Sequence, residues 1–172
     1  ASTLVRKHPR HMSLILITPA AAEPITAAEA RLQCRADSSE DTYLAICITA
    51  ARAKCEALTR ALITRTVEQA LDEFPAGAGE IALELRPALA ITSVKYIDTA
   101  GVEQTMDSAD YALDKDSEPG WLLPAYDTDW PEARDTANAI RVRYTAGYGT
   151  AATDVPQALR MWIALHAAAA YQ

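Results

Sequence analysis

The chain is poor in the features that mark most catalytic and ligand-binding proteins. It has a single phenylalanine, Phe74, and only 6% aromatic residues, although half of its residues are apolar. That apolar half is mostly alanine and short aliphatics, which favours close helix packing over a large aromatic-lined pocket. Basic charge is also short, with 16 Lys and Arg against 23 Asp and Glu for a net charge of −7. A groove that grips nucleic acid needs a basic footprint, so that class is excluded. No apolar run approaches the ~18 residues of a membrane span, and no membrane contact is expected. The patch Leu14-Ile-Leu-Ile17 is too short for a signal peptide and reads as a strand. The three cysteines, Cys34, Cys47 and Cys55, form no CxxC pair. Cys47 and Cys55 lie too far apart along one helix to share an ion. This pattern fits buried thiols in a reducing compartment.

Motifs of chemistry are missing as well. Gly77-Ala-Gly79 and Gly147-Tyr-Gly149 continue neither as GxGxxG nor into GK[ST], so neither cradles a phosphate, and both read as turns. No GxSxG nucleophile elbow occurs. His166 is the one histidine beyond the first eleven residues. It sits on an apolar helix face, the place of a core or interface residue rather than a general base. Asp107, Asp110, Asp114 and Asp116 lack the glycine and terminal glutamate of a calcium loop, and strand alternation separates them. No catalytic, metal or cofactor-binding residue is assigned, and no cofactor is expected.

What is present is organised around residues 39–75. Leu44, Ile48, Ala51, Cys55 and Leu58 recur at steps of four and three residues and predict one buried stripe of a long helix. Ser38 with Asp41 offers a capping pair. The period then changes from helical to alternating, with Ile63, Val67 and Leu71 on one side of a strand. Upstream, Thr26 and Glu29 form a capping box opening a short helix. Downstream come Ile81/Leu83/Leu85, residues 89–98 with a parity slip between Ile91 and Val94, and a hairpin turn at Asp98-Thr-Ala-Gly101. Ile140, Val142, Tyr144 and Ala146 make the cleanest alternation in the chain. Asp154, Pro156 and Gln157 then open a last helix.

Two helices, a run of short antiparallel strands and a final helix predict an α+β fold, a small helical bundle with an inserted antiparallel β region. The expected organisation is an arm and linker over residues 1–22 and one domain over 23–172. Its helices fall at 26–34, 40–59 and 155–171, and its β region at 63–146. Charge is uneven along this order. Residues 98–135 carry eleven Asp and Glu against Lys115 and Arg134, whereas residues 1–11 carry Arg6, Lys7, Arg10 and two histidines without an acid. The acidic stretch reads as a solvated loop face.

Several runs, taken in order, resemble a known family. They are Glu23-Pro-Ile-Thr-Ala-Ala-Glu-Ala30, Glu56-Ala-Leu-Thr-Arg-Ala-Leu-Ile-Thr-Arg-Thr66, Leu71-Asp-Glu-Phe-Pro75 and Val94-Lys-Tyr-Ile-Asp98 with Gly101-Val102. Asp110-Tyr111, Tyr144-Thr-Ala-Gly-Tyr-Gly149 and Asp154-Val-Pro156 complete the series. Together they resemble the head–tail connector (adaptor) proteins of long-tailed phages, prophages and gene transfer agents, over residues 23–171. The resemblance implies a non-enzymatic virion protein, made in the bacterial cytoplasm. It would form a roughly twelvefold ring below the portal and carry the DNA channel toward the tail. Implied partners are further copies of itself, the portal protein and a stopper or tail-completion protein, with DNA passing through unbound. The arm before Met12 departs from the family pattern, and relatives often extend beyond the last helix. The alternatives are a tail-completion or stopper protein of the same particle, and a small metal-dependent enzyme using the acidic loop.

The last helix is the expected partner contact. Its apolar face of Leu159, Trp162, Ile163 and His166 is broader than a core stripe needs, and Trp and Tyr anchor interfaces. Arg160, Trp162, His166 and Tyr171 are the candidate interaction residues. Leu159 and Ile163 would point inward, against Leu44, Ile48 and Leu58.

Overall fold

A computed structural model describes residues 12–60 and 62–172; the basic arm of residues 1–11 lies outside the described residues. The fold is α+β, with three α-helices and antiparallel β-sheets. The strands are β1 (Met12–Thr18), β2 (Arg65–Leu71), β3 (Ile81–Ala82), β4 (Ala88–Ile97), β5 (Glu103–Thr105), β6 (Tyr111–Asp114), β7 (Trp121–Pro124) and β8 (Ile140–Ala146). The helices are α1 (Ala27–Cys34), α2 (Asp41–Thr59) and α3 (Gln157–Tyr171). No helix among the described residues is long and apolar enough to cross a membrane.

The chain divides into two compact units. A helical unit takes Thr18–Thr66, Leu85–Ala88 and Ala146–Gln172; a sheet unit takes residues 12–17, Val67–Glu84 and Leu89–Thr145.

In the helical unit, the capping box forms as expected. The Thr26 hydroxyl accepts from the Glu29 amide at 3.2 Å, and the Glu29 carboxylate accepts from the Thr26 amide at 2.7 Å. Arg35, in the left-handed region at φ 55°, ends α1. The next cap falls one residue before the expected Ser38–Asp41 pair. The Asp37 carboxylate accepts from the Ser39 amide at 3.2 Å and nucleates a 3-10 turn over Ser38–Glu40. Consequently α2 starts at Asp41 without a side-chain cap. At 1.5 Å per residue its 19 residues make a rod of about 28 Å.

Leu44, Cys47, Ile48, Ala51 and Cys55 of α2 are buried and meet Ile163, Ala164 and Ala167 of α3, with Ala30 of α1 closing the core. Leu58, expected in this stripe, is 71% exposed. The chain turns sharply at Arg60 (φ 89°), and the fully buried Leu62 and Ile63 enter the core instead. A second departure concerns Asp154. It closes a 3-10 turn, Ala152–Asp154, and accepts from the Ala151 amide at 2.9 Å, while α3 begins after Pro156 without a side-chain cap.

Two glycines fix the join between β8 and that turn. Gly147 has φ 137°, and a Cβ there would lie 2.6 Å from the Thr64 amide nitrogen. A Cβ on Gly149 would collide with the Asp154 carboxylate. Close approach of backbone and side chain explains both residues of the Gly-Tyr-Gly run.

The sheet unit holds most of a five-stranded sheet ordered β1-β2-β8-β4-β5, and a three-stranded sheet ordered β3-β7-β6. The alternation expected for β8 holds, with Ile140, Val142, Tyr144 and Ala146 buried. The expected hairpin also forms, with Lys95, Tyr96 and Ile97 of β4 opposite Thr105, Gln104 and Glu103 of β5. Gln69 is the unexpected member of this core. It is fully buried, donating to the Ala82 carbonyl at 2.8 Å and accepting from the Glu84 amide at 2.9 Å and the Tyr144 hydroxyl at 3.3 Å. A neutral amide satisfied in this way fixes the β3 segment against β2.

Candidate interaction face on the last helix

Helix α3 is apolar nearly all round, and its faces have different fates. Ile163, Ala164 and Ala167 point into the helical core, with Leu159, Trp162 and Tyr171 packed partly against it. Met161 and Leu165, one turn apart, remain exposed. They were not singled out in the sequence, although a helix wetted on an apolar side is a signal in itself.

The four residues assigned from sequence do not form one patch. Arg160 is held within its own unit. It donates through Nε to the Pro24 carbonyl at 3.0 Å, through a terminal nitrogen to Gln157 at 3.3 Å, and through the other to Glu29. These bonds tie α3 to the first turn of α1. The Thr26 amide foremost, with the Thr26 hydroxyl and Arg160 adding to it, holds the Glu29 carboxyl below the usual glutamate range against a partial loss of solvent.

Trp162 and His166 come together one turn apart. Their rings stack with centroids 3.5 Å apart and planes 20° apart, and His166 Nδ1 lies 3.0 Å from the Trp162 carbonyl. Both remain half-buried.

Tyr171 closes the far end of the helix. Its hydroxyl donates to Glu40 at 2.5 Å, and its ring lies 5.9 Å from that of Tyr43. The Glu40 carboxylate as acceptor, with partial desolvation, pushes the phenol up to about 12.

Beside Arg160 runs an open groove of about 180 Å³ between α1 and α3, where Leu32, Gln33, Met161 and Ala164 form the walls. Leu32, 82% exposed, stands at its edge. The groove has an apolar wall and a polar end at Glu29 and Arg160.

The fold is similar to that of chains in solved gene transfer agent particles. This chain is similar to one in the neck of an empty gene transfer agent (GTA) particle computed with C6 symmetry. The TM-score is 0.78 at 26% sequence identity, over 92% of this chain and 83% of that one. A chain of the virion of a native GTA particle matches with the same figures. A chain of the neck of a native GTA particle computed with C12 symmetry matches at TM-score 0.74 and 26% identity, over 94% and 82% of the two chains. No protein-family model matches, and no curated protein does. A match over nine-tenths of the chain takes in both units.

The acidic stretch shows a different use of its carboxylates. Asp98 accepts from the Val102 amide and Gln104, Asp107 from the Ala109 amide, and Asp114 from the Asp116 and Ser117 amides and the Ser117 hydroxyl. These bonds hold Asp98 and Asp114 below the usual aspartate range, led by the Val102 amide and the Ser117 hydroxyl respectively. These three carboxylates stabilise turns. Among the described residues no group of three or more His, Cys, Asp or Glu is placed to hold a metal ion.

Proposed function

We infer that this chain is a structural, non-enzymatic subunit of the head–tail neck of a tailed phage or gene transfer agent. It acts as the adaptor ring below the portal and continues the DNA channel toward the tail. The observation that carries the reading is the fold match to GTA neck chains over more than nine-tenths of this chain at 26% identity. The C12 symmetry of one of those necks supports a twelvefold ring, and C6 is compatible with it because six divides twelve. Around such a ring each interface must be heterologous and repeat about one axis. The portal lies on one side of the ring and a stopper or tail-completion protein on the other. The acidic stretch suits a channel wall or solvent-facing surface that repels the DNA backbone, since affinity for DNA follows phosphate neutralisation by Lys and Arg.

The test is deletion of the gene in a particle-producing strain, with electron microscopy of the lysate. The expected product is DNA-filled heads without tails, restored by the gene in trans. Tailed, transfer-competent particles from the deletion strain would overturn the reading. Labelled protein found one ring below the portal-proximal position would reassign the chain as a stopper. A rise in melting temperature with divalent metal would favour the enzyme alternative, because a ligand that binds the folded state stabilises it.

A further inference from the structure

Among the described residues the five-stranded sheet leaves two edges unpaired. The first is β1, seven residues long and the terminal strand of the sheet. Met12, Leu14, Ile15, Leu16 and Ile17 are each 39–53% exposed, so apolar side chains stand out on both faces. An edge strand normally carries lysine, proline, a bulge or a covering loop to prevent pairing with another chain. The run MSLILIT has no charged residue and no proline.

The second bare edge lies across the sheet, on β4. Strand β5 covers β4 only at Lys95, Tyr96 and Ile97, and the Met106 amide extends the contact to the Val94 carbonyl. Among the described residues no strand pairs with the outer side of residues 89–93. This segment, Leu-Ala-Ile-Thr-Ser, is also uncharged, and Leu89, Ala90 and Thr92 are exposed.

The two edges belong to the sheet unit and sit at opposite ends of the β1-β2-β8-β4-β5 order. We propose that β1 of one copy pairs with the free edge of β4, residues 89–93, of the next copy, so that the sheet continues from subunit to subunit. The proposal rests on the ring reading and names the contact that closes the ring. Lengths agree. Five paired residues span about 17 Å, which seven residues of β1 cover with overlap at the ends. Polarity agrees, since neither edge brings a charge into the pairing. Symmetry agrees as well. A strand on one edge meeting a different strand on the opposite edge is a head-to-tail contact, the kind that closes by rotation, whereas β1 against β1 would stop at a two-fold dimer. Backbone hydrogen bonds supply affinity, and the exposed leucine and isoleucine side chains select the partner.

The experiment is site-directed cross-linking. Ile15→Cys and Thr92→Cys place thiols near the middle of each edge, so a short bismaleimide reaches between them in parallel or antiparallel pairing. Wild type is the control for the native thiols, of which Cys47 and Cys55 are buried and Cys34 half-buried. Purified particles and concentrated purified protein are both treated. The double variant is expected to give a ladder of oligomers, and a mixture of the two single variants to give dimers only. Leu14→Lys or Ala90→Lys should abolish the ladder while leaving the melting temperature unchanged, because both side chains are exposed.

Ile15→Cys cross-linking to itself would overturn the proposal in favour of a two-fold contact. So would particles that contain the double variant but give no ladder, and in that case the neck reading stands. If the chain is absent from particles, the neck reading falls. The concentrated protein then decides this inference alone, its ladder supporting the pairing and the lack of one overturning it.

Discussion

Replacing Arg160 tests how far α3 is committed to its own unit. The side chain is only 16% exposed and bonds to the Pro24 carbonyl, Gln157 and Glu29. Hydrogen bonds to charged groups are worth about 1.5–3 kcal/mol. Glu29 is 42% exposed, so solvent screening brings the expected cost of Arg160→Ala to about 1–2 kcal/mol. At about 2–4 °C per kcal/mol for a chain of this size, the melting temperature should fall by about 2–8 °C. Arg160→Glu should fall further, because it sets a second carboxylate against Glu29, and the swap Arg160→Glu with Glu29→Arg should recover part of the loss. Thermal melts followed by far-ultraviolet circular dichroism give all four values. The pH arm has a definite sign. Glu29 titrates below its ordinary value of 4.5 in the folded chain, so its contribution is present above 4.5 and is lost as pH falls through the folded value. The gap between wild type and Arg160→Ala should therefore narrow in acid. Because the Thr26 amide leads the shift and Arg160 is the smallest contributor, most of the acid sensitivity should survive in Arg160→Ala. If Arg160→Glu melts with wild type at neutral pH, the internal clamp contributes nothing and the reasoning fails.

Tyr171 should ionise late, at about 12 rather than the ordinary 10, as read by ultraviolet difference titration. Its value is raised on folding, so the Glu40 bond contributes below the ordinary value of 10 and is lost as pH rises through about 12; Tyr171→Phe should remove this late step. Gln69→Leu should cost about 2–4 kcal/mol in urea titration, since it strips partners from the Ala82 carbonyl and the Glu84 amide within a buried network, and a cost under about 1 kcal/mol would contradict that account. Trp162→Ala should cost less than the ~3–5 kcal/mol of a fully buried tryptophan, because the residue is only partly buried. The same variant should leave filled heads without tails if the Trp162–His166 pair meets a neighbour; normal transfer titres would show that it does not. A chain starting at Met12 should retain no DNA in low-salt filter binding, since only residues 1–11 are basic without acids, and retention would refute the assignment of the acidic stretch.

Local rules were legible where a residue answers to its sequence neighbours. Thr26 and Glu29 lie three apart and cap α1, and Ile140 to Ala146 alternate because one face of β8 is buried. Competition between neighbours was less legible. Asp37 outcompetes Ser38 for the amides before α2, and Asp154 serves the turn before α3 rather than the helix itself. Leu58 fits the helical period yet lies on the last turn, where the reversal at Arg60 brings Leu62 and Ile63 inward instead. The candidate site was legible as a helix but not as a set of partners. Arg160 meets Pro24 and Glu29, and Tyr171 meets Glu40, more than a hundred residues away, which no periodicity encodes. The division into two units escapes sequence reading because each unit gathers separated segments.

That gathering bears on how such a gene can change. The helical unit takes its residues from Thr18–Thr66, Leu85–Ala88 and Ala146–Gln172, and the sheet unit takes the two intervals together with residues 12–17. A single genetic crossover anywhere between these outer segments would join pieces of two helical units from different parents, and the α2–α3 packing would have to survive the mixture. Exchange between relatives should therefore favour whole-gene replacement, or paired crossovers that swap the β region and leave Leu44, Ile48 and Ile163 with the partners they evolved beside.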